Sequence, residues 1–445
     1  MWPKLSSRSA VARCGAPRSL WILGLSAALS AGVFLRLVWP GDIEYRHDQL
    51  WIFDLTQRAG KTMPWPWLGL PSSAQILAPG MSIWVLIGLA RAAHVSSPIG
   101  LGLAIKILNS VAMILLVGFA CLMVAPAERE FWLWAAAFQA LNPICVWFER
   151  KIWQPSVFPI FTLMILAAWW RRERPWLAFA WGVIGALVGQ VQGSGFFFAA
   201  GLALWAWLFE RRRVAWRAWL AGSVVGSLPL LPWAIYMSRE MAHGRALPEG
   251  WSNVLDPRFY GFWFSIPFGV NLHEALGHDF GQFLRYPIIG GVPSWGVALL
   301  HLMILALGVS MLAQGATRFL QERSKLPALI VGRESQSAFT QQAALLCFGG
   351  LMTLSGLPAR IHYMIIIYPL MFVWLARLAL DRASTSGAVV RGRRCLATLC
   401  ALEFVLSLMF LTYIHQNHGA PLGDFGIVCQ MCDSDAIAPP PGHSQ

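Results

Sequence analysis

Charge is the property that this sequence has least of. Asp, Glu, Lys and Arg together make up 12% of its 445 residues, whereas about a quarter of the residues of a soluble domain are charged. The chain also lacks an internal repeat, a glycine-rich phosphate loop and an Asn-x-Ser/Thr glycosylation site. These absences exclude a repeat protein and a P-loop nucleotide enzyme.

Apolar residues take the place of the missing charge, at 57% of the chain. Apolar runs of about twenty residues recur, and each is long enough to cross a hydrocarbon core of roughly 30 Å as a helix. The first run, Leu20–Trp39, follows a basic N-terminus as a signal peptide would, but it is longer than a usual signal core and we interpret it as an uncleaved helix. We therefore predict an all-α polytopic membrane protein with about eleven spans, near residues 20–39, 101–124, 131–147, 155–170, 176–191, 193–209, 215–236, 293–314, 342–357, 362–380 and 395–413.

The net charge of +13 would suit a nucleic-acid partner if it were clustered on one soluble surface. Instead, with the N-terminus inside, the excess falls on the inner connections, which include "RRER" (171–174), "ERRR" (210–213) and the segments 318–333 and 382–394. Such a distribution is the positive-inside signal of membrane topology. It predicts a cytoplasmic N-terminus, an external C-terminus and no nucleic-acid partner.

This topology divides the chain into a basic cytoplasmic N-terminus (1–19), a membrane domain (20–413) and an extracytoplasmic tail (414–445). Two large outer loops are predicted, at 40–100 and 238–292. Within the first loop, Met81–Ala93 is too short to cross the bilayer, and we predict a juxtamembrane helix there. The tail holds Cys429 and Cys432, whose spacing allows either a local disulfide or two free thiols.

Acidic residues are concentrated in "GDIEYRHDQLWIFDLTQRAG" (41–60), at the start of the first outer loop. If this segment is helical, the i, i+4 spacing places Glu44 and Asp48 on one face. Two neighbouring carboxyl groups suit a general base or a shared cation site. Glu44, Asp48 and His47 are also candidate ligands for a divalent cation, and no other cofactor is predicted. The alternative is a solvated loop in which the acids balance Arg46 and His47.

Cationic and aromatic residues gather on the same predicted side. Charge within a bilayer is costly, so ionisable residues at membrane depth usually face a cavity or a partner. Alternatively, those near the surface extend to the lipid headgroups. The residues concerned are Arg36 and Lys106 within helices, Arg150 and Lys151 in "WFERKIWQPS" (147–156), and Arg360, His362 and Tyr363 in "LPARIHY" (357–363).

Four segments, taken in order, resemble the GT-C superfamily of integral-membrane glycosyltransferases, which includes protein O-mannosyltransferases and the aminoarabinose transferase of lipid A. They are "EYRHDQLW" (44–51), "APGMSIWVL" (78–86), "NPICVWFERKIWQPS" (142–156) and "ARIHYMIIIYPL" (359–370). Asp48 takes the Asp position of the family's acidic motif. Gln49 stands where most members have Glu, which puts the role of that second acid in question.

The resemblance implies a GT-C-like bundle that moves a sugar from a polyprenyl-phosphate donor to an acceptor hydroxyl on a lipid, glycan or protein. The reaction would take place on the extracytoplasmic face of the plasma membrane, the inner membrane in a bacterium, with inversion at the sugar. Asp48 would be the general base, assisted by Glu44. The donor phosphate would be bound by Arg36, Lys106, Arg150, Lys151, Arg360, His362 and Tyr363.

Two other interpretations remain open. A flippase or transporter for a lipid-linked substrate would carry out no chemistry, but transporters of this kind tend to have two similar halves and polar residues near the midplane. This chain has no evident halves, and its polar residues gather on one side. An inactive scaffold is the second alternative, for which the departure at Gln49 leaves room.

Overall fold

The computed structural model describes residues 18–71, 76–242, 255–321, 326–380 and 386–429. Nearly all regular structure in these residues is helical. Predictions for most of the basic N-terminus, for Cys432 and for the end of the tail lie outside the described residues.

The described residues form twenty α-helices. In chain order they are Arg18–Leu37 (α1), His47–Arg58 (α2), Met81–Ala92 (α3), Pro98–Leu122 (α4), Arg129–Leu141 (α5), Pro143–Phe148 (α6), Phe158–Trp170 (α7), Pro175–Val191 (α8), Ser194–Glu210 (α9), Trp216–Ser227 (α10), Leu231–Ala242 (α11), Arg258–Ser265 (α12), His273–Leu276 (α13), Phe280–Arg285 (α14), Gly296–Gln321 (α15), Leu326–Val331 (α16), Gln336–Gln342 (α17), Gly349–Leu354 (α18), Tyr368–Leu380 (α19) and Ser386–Gln416 (α20).

Short elements connect or extend these helices. A π-helix covers Ala343–Phe348 between α17 and α18. The 3-10 helices are Gln154–Val157, Arg211–Arg213, Leu228–Leu230, Ile266–Phe268, Gly277–Asp279 and Ile361–Ile367. Three antiparallel strand pairs join Leu68–Pro71 (β1) to Leu77–Pro79 (β2), Ile288–Ile289 (β3) to Val292–Pro293 (β4), and Gly419–Ala420 (β5) to Gly426–Ile427 (β6).

Several helices have the length and composition of membrane spans, so the chain is a mostly helical membrane protein. The described residues contain five such helices, and each overlaps a predicted span. Shorter apolar helices overlap other predicted spans, and α3 coincides with the predicted juxtamembrane helix. The five long ones are Pro98–Leu122, Trp216–Met241, Gly296–Thr317, Ile361–Leu380 and Gly387–Gln416. The second runs through α10, a 3-10 helix and α11, and the fourth through a 3-10 helix and α19.

The predicted span 131–147 is two helices, with a break at Asn142. Pro143 has no N–H to continue the hydrogen-bond pattern of α5, and it favours extended backbone in the residue before it. Asn142 has φ −63° and ψ 129°, and its Oδ1 accepts hydrogen bonds from the Ile144 and Cys145 amides at 3.0 and 3.4 Å. This side chain therefore caps α6 and directs the chain towards Glu149 and Arg150.

Helix α5 lies in the core, packed against α1, α4, α19 and α20. Helices α5 and α1 approach closely because two small residues, Gly32 of α1 and Ala140 of α5, lie at their contact. A Cβ at Gly32 would lie 2.6 Å from the Ala140 Cβ, so no larger residue fits there without moving a helix. Small residues at helix contacts are a common means of close packing in membrane proteins.

Glycines also bring α8 close to both of its neighbours. A Cβ at Gly185 would meet Ala199 of α9 at 3.1 Å. A closer contact that the sequence analysis missed lies between α8 and α10. There, a Cβ at Gly222 would be 2.1 Å from the Phe179 carbonyl oxygen.

Candidate active site

Arg36 of α1 is fully buried and makes an ion pair with Glu149. Its Nε and Nη2 donate to Glu149 Oε2 at 2.8 and 2.6 Å. The remaining guanidinium N–H groups donate to the carbonyl oxygens of Gly32, Gln139 and Ala140, each at 2.9 Å. The guanidinium therefore joins α1 to α5 and to the residue that follows α6.

Arg150 binds the end of α1. Its Nη1 donates to the carbonyl oxygens of Leu35, Arg36 and Val38 at 2.6, 3.2 and 2.9 Å, and its Nη2 donates to that of Trp39 at 3.0 Å. The last carbonyls of a helix lack partners within the helix and carry its partial negative charge. The buried cation satisfies both requirements.

Lys106 is also fully buried and also binds the segment after α1. Its Nζ donates to the Pro40 carbonyl oxygen at 2.9 Å. Thus three of the predicted phosphate-binding cations, Arg36, Lys106 and Arg150, form a buried layer in which each donates to protein oxygens.

Five more of the predicted residues, together with Trp153, form a second group beside this layer, which we call the Lys151 cluster: Glu44, Lys151, Trp153, Arg360, His362 and Tyr363. Lys151 Nζ lies 2.8 Å from Glu44 Oε2. It also lies 4.5 Å from the centre of the Trp153 ring, a cation–π distance.

Residues from the last of the family-like segments complete this cluster. The His362 ring packs edge-on against Trp153 and against Tyr363, with ring centres 4.5 Å apart in both cases. Arg360 is exposed, and both its charge and that of Lys151 act on the His362 imidazole. Segments 44–51, 142–156 and 359–370, which are far apart in the sequence, thus meet at one place.

Glu44 is the buried acid of this cluster. Its backbone is extended and forms a bridge with Val428, so α2, which begins at His47, does not include it. The predicted i, i+4 arrangement with Asp48 on one helix face is therefore wrong. Burial raises the pKa of the Glu44 carboxyl, and the neighbouring Lys151 ammonium opposes that rise.

Gln49 has a clear function in this arrangement. Its Nε2 donates to Glu44 Oε1 at 3.2 Å, while Lys151 occupies the other carboxylate oxygen. A glutamate at position 49 would place a second carboxylate against Glu44, which is unfavourable for buried like charges. The glutamine at position 49, where the acidic motif usually has Glu, therefore avoids this repulsion and donates a hydrogen bond to Glu44.

Asp48 lies in the first turn of α2, and its side chain is exposed, as is that of His47. A carboxylate at this position is favoured by the partial positive charge of the helix N-terminus. Within the described ranges, no group of three or more His, Cys, Asp or Glu side chains could hold a metal ion.

Asp42 and His415 form a pair that the sequence analysis missed. His415 Nδ1 lies 2.8 Å from Asp42 Oδ2, and the imidazole stacks on Trp39 with ring centres 4.4 Å apart. Asp42 is buried, whereas 41% of the His415 side chain is exposed. Asp42 lies in the acidic stretch already noted, but only the fold brings the end of α20 next to it.

Asp256 is a second residue that the sequence analysis missed. Its carboxylate accepts hydrogen bonds from the Arg258 side chain at 2.6 to 3.0 Å and from the Ala359 amide at 2.8 Å. Its own amide donates to the Thr353 carbonyl oxygen at 3.2 Å. Asp256 therefore fixes the loop that leads into Arg360, and nothing in the sequence near position 256 indicates this contact.

Glu403 of α20 is fully buried against an amide. Asn142 Nδ2 donates to its Oε1 at 3.2 Å and to the Ile266 carbonyl oxygen at 2.9 Å. Glu403 Oε2 has no hydrogen-bond partner among the described residues.

Comparison of the chain with protein-family models, curated proteins and solved structures gave no match.

Proposed function

We propose that the protein is a GT-C-like glycosyltransferase, with a bundle of about eleven spans and its active site on the extracytoplasmic face of the plasma membrane. It would transfer a sugar from a polyprenyl-phosphate donor to an acceptor hydroxyl. The observation that supports this most is the meeting of three family-like segments in the Lys151 cluster, where a lysine, an arginine, a buried acid and aromatic rings lie together.

Lys151 and Arg360 are the cations best suited to the donor phosphate. Arg360 is exposed, and the Lys151 ammonium is held by one carboxylate that an incoming phosphate can replace. The departing lipid phosphate needs stabilisation of its charge, and preorganised cations provide it. Arg36, Lys106 and Arg150 would then support the site from beneath, holding the ends of α1 and α6 in position.

The acceptor hydroxyl requires a general base. We assign that role to Asp48, whose exposed carboxylate follows Glu44 in the same loop. Its carboxylate would take the hydroxyl proton as the acceptor oxygen bonds to the anomeric carbon and the bond from that carbon to the phosphate oxygen breaks. A single direct displacement inverts the configuration of the sugar.

Donor binding tests this proposal directly. The binding of a polyprenyl-phosphate sugar to the protein in lipid nanodiscs would be measured for the wild type and for Lys151→Met. We expect the variant to bind roughly 10- to 100-fold more weakly, because a hydrogen bond to a charged group contributes about 1.5–3 kcal/mol. Lys61→Met is the matched control, since Lys61 is exposed in the same long loop. Equal binding by both variants would contradict the donor site.

A lipid-linked substrate flippase is the second candidate. The feature in its favour is Glu403, an acid buried inside a helix of membrane-spanning length with one oxygen unpartnered among the described residues. Reconstitution into vesicles separates the two functions. Movement of the donor across the bilayer without any glycosylated product, and with no loss in Asp48→Asn, would favour the flippase.

A further inference from the structure

A cavity of about 570 Å³ lies where α9 ends. It is bounded by the 3-10 helix Arg211–Arg213 on one side and by residues of the 331–339 segment on the other. Helix α7 begins five residues after Trp153 of the Lys151 cluster and ends next to Arg172, which pairs with Glu210 of the cavity. The cavity is therefore at the opposite end of α7 from the candidate active site. Its lining consists of Leu208, Phe209, Glu210, Arg211, Arg212, Arg213, Val331, Arg333 and Phe339.

The cavity has a strong excess of positive charge. Its one acid, Glu210, is already paired, with Arg172 Nη2 at one carboxylate oxygen and Arg213 Nη1 at the other at 2.9 Å. Arg211, Arg212 and Arg333 are exposed, and their guanidinium groups donate to no protein acceptor within the described part of the chain. They differ in this from Arg36 and Arg150, which are buried and bonded to protein oxygens.

The remaining wall is apolar. Leu208 has 57% of its surface exposed, whereas Phe339 is buried in the floor of the cavity. An arginine-lined cavity with one apolar wall matches a phosphodiester attached to a hydrocarbon chain, because guanidinium groups bind phosphate oxygens in a bidentate manner. Basic pockets between membrane helices on the cytoplasmic side are a known means of binding anionic lipid headgroups.

We propose that this arginine cavity binds the phosphate group of an anionic phospholipid. Arg211, Arg212 and Arg333 would contact the phosphate, and the acyl chains would lie along Leu208. This site is independent of the proposed glycosyl transfer, and it lies on the side that the charge distribution predicts to be cytoplasmic.

Native mass spectrometry of the detergent-purified protein with added phosphatidylglycerol or phosphatidylcholine tests the proposal. We expect the wild type to retain phosphatidylglycerol preferentially. The triple variant Arg211→Gln, Arg212→Gln, Arg333→Gln should bind it roughly 100-fold more weakly, because each basic residue near a lipid surface contributes about 1 kcal/mol. Binding of phosphatidylcholine should not change between the two proteins.

The matched control is the triple variant Arg171→Gln, Arg174→Gln, Arg217→Gln. It removes the same charge from exposed arginines that do not line the cavity, two between α7 and α8 and one in the first turn of α10. An equal loss of binding in both triple variants would mean that general surface charge attracts the lipid, and the proposal would fail. It would also fail if the cavity variant kept full binding. Competition by millimolar inorganic phosphate, without any preference for phosphatidylglycerol, would identify a soluble phosphate as the ligand and exclude the lipid.

Discussion

Individual residues determine the chemistry that the Lys151 cluster can perform. Glu44 is buried and shared between Lys151 and Gln49, whereas Asp48 is exposed in the first turn of α2. The two acids therefore differ in environment although they lie four positions apart. A buried, ion-paired acid suits the positioning of a cation, and an exposed one suits proton transfer with an acceptor.

This difference gives a prediction for substitutions in the loop. Asp48→Asn keeps the side-chain shape but removes the base, so turnover should fall by roughly 10²–10⁴-fold with donor affinity unchanged. Glu44→Gln should lower turnover less than Asp48→Asn, since the buried Glu44 carboxylate is paired with Lys151 and is not the proposed base. Steady-state kinetics with donor and acceptor varied separately would distinguish the two effects.

Asp42→Asn is the control for this prediction. If it removes activity while Asp48→Asn does not, the Asp42–His415 pair is the proton acceptor and our assignment of Asp48 is wrong. If all three variants keep full activity, none of these acids takes part in the reaction.

Asp256 predicts a pH dependence of stability. The Arg258 side chain lowers the pKa of the Asp256 carboxyl from 3.8 to about 2. A carboxyl whose pKa is lower in the folded state than in the unfolded state stabilises the protein at pH values above the unfolded-state pKa. This stabilisation is lost as the pH falls from about 4 to about 2. The wild type should therefore exceed Asp256→Asn in unfolding free energy at about pH 5, by roughly 1–3 kcal/mol.

The measurement is denaturant unfolding of both proteins in the same detergent at about pH 5 and about pH 2.5. The difference between them should shrink at the lower pH, because the Asp256 carboxyl of the unfolded chain is then protonated and most of the stabilisation from its lowered folded-state pKa is lost. A difference that is independent of pH would mean that the charge of Asp256 does not stabilise the loop.

At the scale of elements, buried polar contacts fix how α1 meets α5 and α6. Arg36 connects the three, and Arg150 binds the last carbonyls of α1. Gly32 allows the close approach that these hydrogen bonds need. Such contacts orient the loop that carries Glu44, which begins soon after α1 ends.

Removing one partner of the Arg36–Glu149 pair should be costly. Arg36→Met leaves the Glu149 carboxylate buried without its cation, and we expect a loss of about 3–5 kcal/mol of unfolding free energy. The double variant Arg36→Met, Glu149→Leu removes both charges and should recover most of this loss. Unfolding in detergent with a fluorescence readout measures both. If the double variant loses as much unfolding free energy as Arg36→Met and Glu149→Leu lose together, the ion pair does not hold these helices in place.

At the scale of the whole molecule, the charge distribution predicts that the Lys151 cluster and the arginine cavity lie on opposite faces of the membrane. Single cysteines introduced into a cysteine-free background can test this. A membrane-impermeant maleimide added to intact cells should label Gly281→Cys, in the second predicted outer loop, and should leave Arg171→Cys unlabelled. Labelling of Arg171→Cys alone would reverse the topology and remove the basis for an extracytoplasmic active site.

The sequence alone determined that the protein is a mostly helical membrane protein and where the five long apolar helices in the described residues lie. Both follow from the lengths of apolar runs, which are local properties of the chain. It located α3 as a short helix and all the residues of the Lys151 cluster except Trp153, because charge and aromatic rings stand out against an apolar background. The break at Asn142 was not predicted, although Pro143 is a local signal for it.

Only the tertiary structure decided which predicted site residues belong to the buried layer and which belong to the Lys151 cluster. Arg36, Lys106 and Arg150 bond to protein oxygens, while Lys151 pairs with Glu44 and His362 packs against Trp153. The pairs Asp42–His415 and Asp256–Ala359 join segments 373 and 103 residues apart. The physical reason is that a buried donor or acceptor must find a partner wherever the packed helices place one. No local pattern in the sequence records that placement.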